Sequence, residues 1–248
     1  VSDQPFTDLV IAQAEQASTW THNDKMSGRA LAESAGVPVP TLLAGPGPLK
    51  DLPLPDGPFV VKPVRGSSML GVRVLVPESE GRHRDLVSGR TRRWGGWREE
   101  LYKVKGQGYN RDTVRNPWIL EALIGDGTTL PEDWKVYCLH GTAHLVRQIN
   151  RTGRTVRSRS WTAEWTPALN ALRSRPCDTS LPPPRHGPEL IAAAEAIARL
   201  HGTVFVRVDL YDADDGPVFG EVTPNPAAGK RPLSPEWEQR LADVWLNE

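Results

Sequence analysis

The sequence predicts an α+β fold, and three observations carry that expectation. The stretch "FVVKPVRGSSMLGV", Phe59 to Val72, opens as a buried strand, breaks at a lysine and a small-residue loop, and leads into a second strand, Gly71 to Val76. The segments "WILEALIGDGTTL", "DWKVYCLHG" and "HLVRQIN" are strand-like and parted by turn chemistry at Gly125, Gly127 and His140-Gly141, which suggests an antiparallel sheet. Helical spacing is clearest in "GPELIAAAEAIARLHG", whose Leu190, Ile191, Ala194, Ile197 and Ala198 form one apolar face and which stops at Gly202.

Taken in order, the elements start with apolar periodicity from Thr7 to Trp20. A second helix is capped at Asn23 or Asp24 and stopped by Gly36, and a strand follows. The prolines of "GPGPLKDLPLPDGP" can neither continue a helix nor donate to a ladder, so this segment is expected to be an exposed, semi-rigid linker. An arginine-rich stretch comes after the first hairpin, with eight basic residues against three acids between Arg82 and Lys105. A second basic cluster comprises Arg147, Arg151, Arg154, Arg157 and Arg159. Near the end, "VFVRVDLYDADDGPVFGEVTPNPAAG" reads as two strands joined by an Asp-Asp-Gly turn, so that Asp209 and Glu221 can face each other.

Composition narrows the function. With 248 residues there is room for one large domain or two small lobes. Thirty basic and 30 acidic residues cancel, so bulk charge favours neither nucleic acid nor a membrane. Two cysteines, Cys138 and Cys177, lack metal-like spacing and fit a reducing compartment. Neither a spanning apolar run nor a signal-peptide pattern is evident, and a cytoplasmic protein is expected.

Chemistry enters with the paired acids. Two carboxylates on adjacent strands repel each other unless a proton or a cation lies between them, and hard oxygen ligands of this kind suit magnesium. Arg207, two residues before Asp209, projects to the same strand face, as a salt-bridge partner or as a clamp for a further anion. Lys62 ends a strand beside Gly66, Ser67 and Ser68, whose amides can approach phosphate oxygens. A Walker loop is excluded because Gly229-Lys230 is followed by Arg231, and a Rossmann fingerprint because Arg111 replaces the third glycine after Gly106 and Gly108.

The order Asp24-Lys25, "FVVKPVRGSS", "ILEALI", "DWKVYCLHG", "VRVDLY" and "FGEVTP" resembles the ATP-grasp family, and in wording its teichuronopeptide-biosynthesis branch. The resemblance runs from about Asn23 to Gly229. It implies two α+β lobes enclosing an ATP cleft: residues 1–57 as a reduced N-terminal helical segment with its linker, 58–124 as the small lobe, and 125–248 as the large lobe with the metal-binding strands. It implies ATP and Mg2+ as cofactors. Lys25 and Lys62 match the lysines that reach the phosphates, Gly66, Ser67 and Ser68 the loop over them, and Glu121, Ala122, Leu123 and Ile124 the segment that reads adenine; Lys135 joins this nucleotide set. Asp209 and Glu221 match metal ligands, with Thr223 or Asn225 as the third, and Arg207 matches the arginine at the transferred phosphoryl group.

The activity so implied is a carboxylate–amine ligase that works through an acyl phosphate, in peptide or specialised-metabolite biosynthesis. Only 61 residues precede Lys62, so the acceptor is left to the grasp lobes or to a second subunit, which allows a homodimer. Arg147, Arg154, Arg157 and Arg159, with Trp161 among them, are the candidate surface for an anionic or peptide acceptor, since tryptophan beside arginine offers stacking and cation–π contacts. Trp94, Trp97 and Trp165 strengthen that expectation. Two alternatives stand: a kinase using Asp133 as base toward a hydroxyl, and a non-catalytic basic, tryptophan-rich binding module.

Overall fold

The computed structural model describes residues 5–22, 24–66, 69–104, 117–152, 155–172, 177–229 and 233–247. Among them are the helices α1 (Pro5–Ala14), α2 (Lys25–Ser34), α3 (Trp94–Tyr102), α4 (Gly187–His201) and α5 (Pro235–Asn247). The strands are β1 (Leu42–Gly47), β2 (Phe59–Pro63), β3 (Arg73–Pro77), β4 (Arg82–Asp85), β5 (Thr91–Arg93), β6 (Trp118–Ala122), β7 (Asp133–Leu139), β8 (Thr142–Asn150), β9 (Arg157–Thr162), β10 (Phe205–Ala213) and β11 (Gly216–Thr223). The chain divides into two compact units, one of Asp24–Met26 and Pro40–Leu130, the other of Val1–Asn23, Ser27–Val39 and Pro131–Glu248.

In the smaller unit an antiparallel sheet runs β1-β6-β2-β3-β4-β5. Alternation along β2 sends Phe59 and Val61 inward, where they pack with Leu75, Leu120, and Trp97 and Leu101 of α3. The proline-rich segment departs from the expected exposed linker. Gly45, Pro46 and Gly47 belong to β1, and Leu49 and Leu52 are buried in this core. Pro46 sits in an edge strand, which tolerates it, while Leu49 and Leu52 bring the apolar area that anchors the segment. A second departure concerns β6. The three segments read as one sheet are split: β6 pairs with β1 and β2, and only β7 and β8 pair with each other.

The larger unit is built on an antiparallel sheet ordered β11-β10-β7-β8-β9. Because side chains alternate, Val206, Val208 and Leu210 of β10, Trp134, Val136 and Cys138 of β7, and Val146 of β8 share one face and pack against Leu190, Ala194 and Ile197 of α4. α4 ends at Gly202 in the left-handed conformation (φ +74°), as its sequence predicts. On the opposite face Phe205, Tyr137, Leu139 and Leu145 pack against Phe6 and Val10 of α1 and Trp237 and Leu241 of α5. Glu238, fully buried, locks those two helices by accepting hydrogen bonds from Thr7 N (2.8 Å), Thr7 Oγ1 (2.7 Å) and Leu233 N (2.7 Å). α1 and α5 thus supply an apolar cover to one part of this face. The remaining part carries charge. Among the described residues no helix is long and apolar enough to cross a membrane.

Candidate functional site

Cross-strand register assembles the charged part of the sheet. Asp209 lies directly opposite Glu221 on one side and Lys135 on the other, Lys135 opposite Arg147, and Arg147 opposite Ser160. One row of side chains therefore crosses all five strands on one face. Its position depends on Gly220. The ladder shifts between Asp209 and Leu210, leaving Gly220 as an extra residue, and a Cβ on it would come within 2.9 Å of the Asp209 carbonyl oxygen. Only glycine fits this bulge, which sets Glu221 across from Asp209.

Arg207 projects to the same face, as its two-residue spacing from Asp209 predicts. Its Nε donates to Asp209 Oδ1 at 2.6 Å and its Nη2 to Asp209 Oδ2 at 2.7 Å, a two-pronged grip of the kind that gives arginine its geometric specificity. Nη2 also donates to Thr223 Oγ1 at 3.0 Å and stands 3.6 Å from Glu221 Oε1. Burial opposes the guanidinium charge, but Asp209 beside it, with smaller help from Tyr137 and Glu221, holds the pKa above its ordinary value. Lys135 Nζ donates to Asp209 Oδ2 and lies 3.1 and 2.9 Å from the two oxygens of Asp133. Arg151 Nη1 reaches Asp133 Oδ2 at 3.0 Å. Burial would raise the Asp133 pKa; Lys135, Arg151 and then Arg207 overcome that and hold it below the ordinary carboxylate value. In the sequence Arg151 figured only as a member of the second basic cluster; it directly follows β8, and its even, four-residue spacing from Arg147 was the signal for a shared face.

The oxygens gathered here fit magnesium. Among the described residues there is no group of three or more His, Cys, Asp or Glu side chains that could hold a metal, but magnesium commonly takes one or two carboxylates and leaves its other positions to water and phosphate. Between the two alternatives for a third ligand the contacts differ. Thr223 Oγ1 already accepts from Arg207 and donates to Glu221 Oε1 at 3.3 Å. Asn225 Oδ1 is buried and accepts no hydrogen bond among the described residues, an orphaned acceptor of the sort a cation satisfies.

In the smaller unit, Lys62 Nζ meets Glu121 Oε2 at 2.5 Å, with side-chain exposures of 13% and 6%. Register accounts for the pair: Val60 lies opposite Glu121, so Lys62, two residues along β2, is its diagonal neighbour on the same face. Lys25 is tied to the segment after β2, its backbone N donating to Val64 O at 3.0 Å and its Nζ to Gly66 O at 3.1 Å. Both lysines thus meet the same strand-to-loop passage, where Gly66 has φ +145°. Asp24 caps α2 by accepting from Met26 N at 2.9 Å. Ala122 N donates to Thr41 O and Leu123 N to Pro58 O, and Ile124 follows them, half-buried. Ser67, Ser68 and Arg154 lie outside the described residues, as do Asn23 and the stretch from Gly106 to Arg111.

The expected acceptor surface is not assembled as one face. Trp161 is 3% exposed and belongs to the core under α4, its Nε1 donating to Gln148 Oε1 at 3.0 Å. Arg159 stacks on that ring at 4.0 Å and donates to the Thr179 and Leu181 carbonyls, while Arg157 pairs with Asp178. These three alternate with Ser158 and Ser160, so they occupy the face opposite Arg147. Of the described candidates, Arg147 alone shares the face of Asp209. Trp97 is likewise buried, with Arg73, Arg90 and Arg92 around it held by Glu100, and Trp165 packs edge-on against Trp134. The tryptophans hold the cores together, and their arginines are occupied. Cys138 is also core: burial pushes its thiol pKa well up, away from nucleophilic use.

Comparison with solved structures shows a shared fold. The chain is similar to the VanG D-Ala:D-Ser ligase from Enterococcus faecalis (17% identity, 92% of this chain and 62% of that one, TM-score 0.55). It is similar to D-alanine–D-alanine ligase from Bacillus anthracis (16%, 93% and 65%, TM-score 0.56) and to the ATP-grasp ligase PsnB (15%, 93% and 62%, TM-score 0.50). The chain spans less than two thirds of the length of each of these structures. No curated protein matches it in sequence. The fold is ATP-grasp, and a family model matches residues 13–246: the chain belongs to the TupA-like ATP-grasp family.

Proposed function

We propose that this chain is an ATP-dependent carboxylate–amine ligase that joins a small-molecule or peptide carboxylate to an amine through an acyl phosphate. The observation that carries the reading is the Arg207 guanidinium, gripping Asp209 and reaching Thr223 and Glu221 on a face that also holds Lys135 and Arg147. Three carboxylates (Asp133, Asp209, Glu221) meet four cations (Lys135, Arg147, Arg151, Arg207), a patch of net +1 suited to a polyanion. The ligases of similar fold point the same way.

In this reading Lys25 and Lys62 hold nucleotide phosphates, the passage through Gly66 lies against them, and Glu121 with Ala122, Leu123 and Ile124 reads the base. Asp209, Glu221 and Asn225 hold magnesium, which neutralises the charge of the moving phosphoryl group when bound. Arg207 steadies that group on its way to the substrate carboxylate and then the negative charge on the acyl oxygen as the amine attacks and phosphate leaves. Arg147 is the candidate contact for an anionic acceptor. Against the kinase alternative stands the setting of Asp133, a carboxylate held by Lys135 and Arg151 with a pKa below the ordinary value, which disfavours proton uptake. Amino acids and short peptides screened for substrate-dependent ADP release, with hydroxylamine in place of the amine, should yield a hydroxamate. A phosphate ester as the sole product would remove the ligase reading and leave the fold untouched.

A further inference from the structure

We infer that Lys135 competes with the divalent cation for Asp209 and so makes metal binding conditional on the nucleotide; this rests on the functional reading above. Asp209 Oδ1 accepts from Arg207 Nε, and Oδ2 accepts from both Arg207 Nη2 and Lys135 Nζ. A divalent ion bonded to Oδ2 would have an ammonium as its neighbour, and two cations on one oxygen repel strongly at a site where Asp209 is 3% exposed. One of them must leave.

The geometry points to the lysine as the group that yields. Arg207 holds Asp209 with two parallel bonds, and its other partners, Thr223 Oγ1 at 3.0 Å and Glu221 Oε1 at 3.6 Å, do not replace them. Lys135 already lies 2.9 and 3.1 Å from the two Asp133 oxygens, so it can release Asp209 without losing a carboxylate. Its ammonium is a point charge on a flexible stem, free of the planar constraint that fixes a guanidinium. Arg151 holds Asp133 from its other side at 3.0 Å and keeps that carboxylate in place to receive the lysine. A polyphosphate would offer Lys135 a further anionic partner. The nucleotide would thereby draw the lysine off Asp209 and open it to the metal, so that metal bound alone is disfavoured and metal bound with nucleotide is not.

The test titrates Mn2+ against the wild type, Lys135→Met, Lys135→Gln and Arg151→Gln, following free Mn2+ by its spin resonance signal, with and without a non-hydrolysable ATP analogue. Thermal melts establish that each variant is folded. Without nucleotide, Lys135→Met and Lys135→Gln should bind Mn2+ at least about tenfold more tightly than the wild type, and the analogue should tighten their binding less. Arg151→Gln removes a nearby positive charge that does not touch Asp209 and should not reproduce the gain. Equal Mn2+ affinity in the folded lysine variants and the wild type would sink the competition and leave the metal site standing. An Arg151→Gln gain as large as the lysine gain would also overturn it, because the general field would then account for the effect. Absence of Mn2+ binding in every chain, even with the analogue, would take down the metal assignment and the inference with it.

Discussion

Two charged sites, one in each unit, hold their charge in opposite ways. In the smaller unit, Lys62 and Glu121 form a close ion pair on one face of the β2–β6 ladder. In the larger, Asp209 is shared by Arg207 and Lys135, and Lys135 is shared in turn by Asp133, which Arg151 also holds. Removing Glu121 takes from Lys62 the carboxylate that it meets at 2.5 Å. A network redistributes. The difference bears on function, since a ligand that needs Lys62 must outcompete or accommodate Glu121, whereas one that needs Lys135 finds a group already divided between two acids.

The largest expected effect follows from breaking the pair. Glu121→Ala leaves an ammonium with little solvent, and the loss of stability should be about 3–5 kcal/mol. Lys62→Met takes the ammonium from a buried carboxylate and should also destabilise the protein, while the double variant Lys62→Met with Glu121→Leu should recover most of the loss. Urea denaturation of the three variants measures this coupling. Calorimetry with Mg-ATP separates structure from binding, for the double variant should be stable and still bind nucleotide poorly. A stable double variant that binds ATP like the wild type would place Lys62 outside the nucleotide site.

Arg207→Ala addresses the network and should act on rate more than on stability. Lys135 remains to neutralise Asp209, so the melting temperature should fall less than in Glu121→Ala. Turnover should drop on the order of a hundredfold to a thousandfold, as for the loss of one preorganised donor, with nucleotide affinity nearly retained. A parallel collapse of stability would show that Arg207 is held for folding alone.

Trp161 tests which face of β9 is buried. As a core residue that donates to Gln148, it should lose about 1–2 kcal/mol of stability on Trp161→Phe, with the Michaelis constants for ATP and acceptor changed alike. A selective rise in the acceptor constant would restore Trp161 to the binding surface from which its burial removes it.

These contrasts also show what a sequence displays. The meeting of Asp209 with Glu221, and Arg207 beside them, was legible because a short Asp-Asp-Gly turn and the period of two leave little freedom between adjacent strands. The face of Arg157, Arg159 and Trp161 was not, because β9 follows β8 through a longer connection and its register comes from tertiary pairing. A shift of one residue would have put all three beside Arg147. Sheet membership of β6 was hidden similarly, since β6 precedes β7 in the chain but pairs with β1 and β2 in space. The burial of Leu49 and Leu52 was hidden by proline-rich composition, which reports backbone stiffness and says nothing of where two leucines pack. Gly220 was visible as a letter in "FGEVTP", but its need for close approach to the Asp209 carbonyl emerges only with the bulge.

The smallest effect is one of pH, and it too divides the charged groups. Asp133 keeps a pKa below the ordinary carboxylate value, so it does not titrate near neutrality. His201 behaves differently. It stands in the last turn of α4, where the helix dipole would favour an imidazolium, yet burial, and after it His22, lower its pKa to about 4. Thr203 spends its one hydroxyl proton on Phe205 O, so it can only accept from His201, which places the ring proton on Nδ1 and leaves the buried Nε2 bare. Acid adds its proton at Nε2, with the His22 ring 5.7 Å away between centroids. Since the folded pKa lies below the unfolded value of roughly 6.5, this stability is complete above that pH and is lost as the pH falls toward about 4. His201 is only partly buried, so the change should be about 1 kcal/mol once solvent screening is allowed for. His83 in the smaller unit, its pKa lowered by burial, contributes with the same sign. Urea melts at pH 7.5 and pH 5 should show the loss in the wild type and a flatter dependence in His201→Gln; an unchanged slope in that variant would assign the acid sensitivity to other groups.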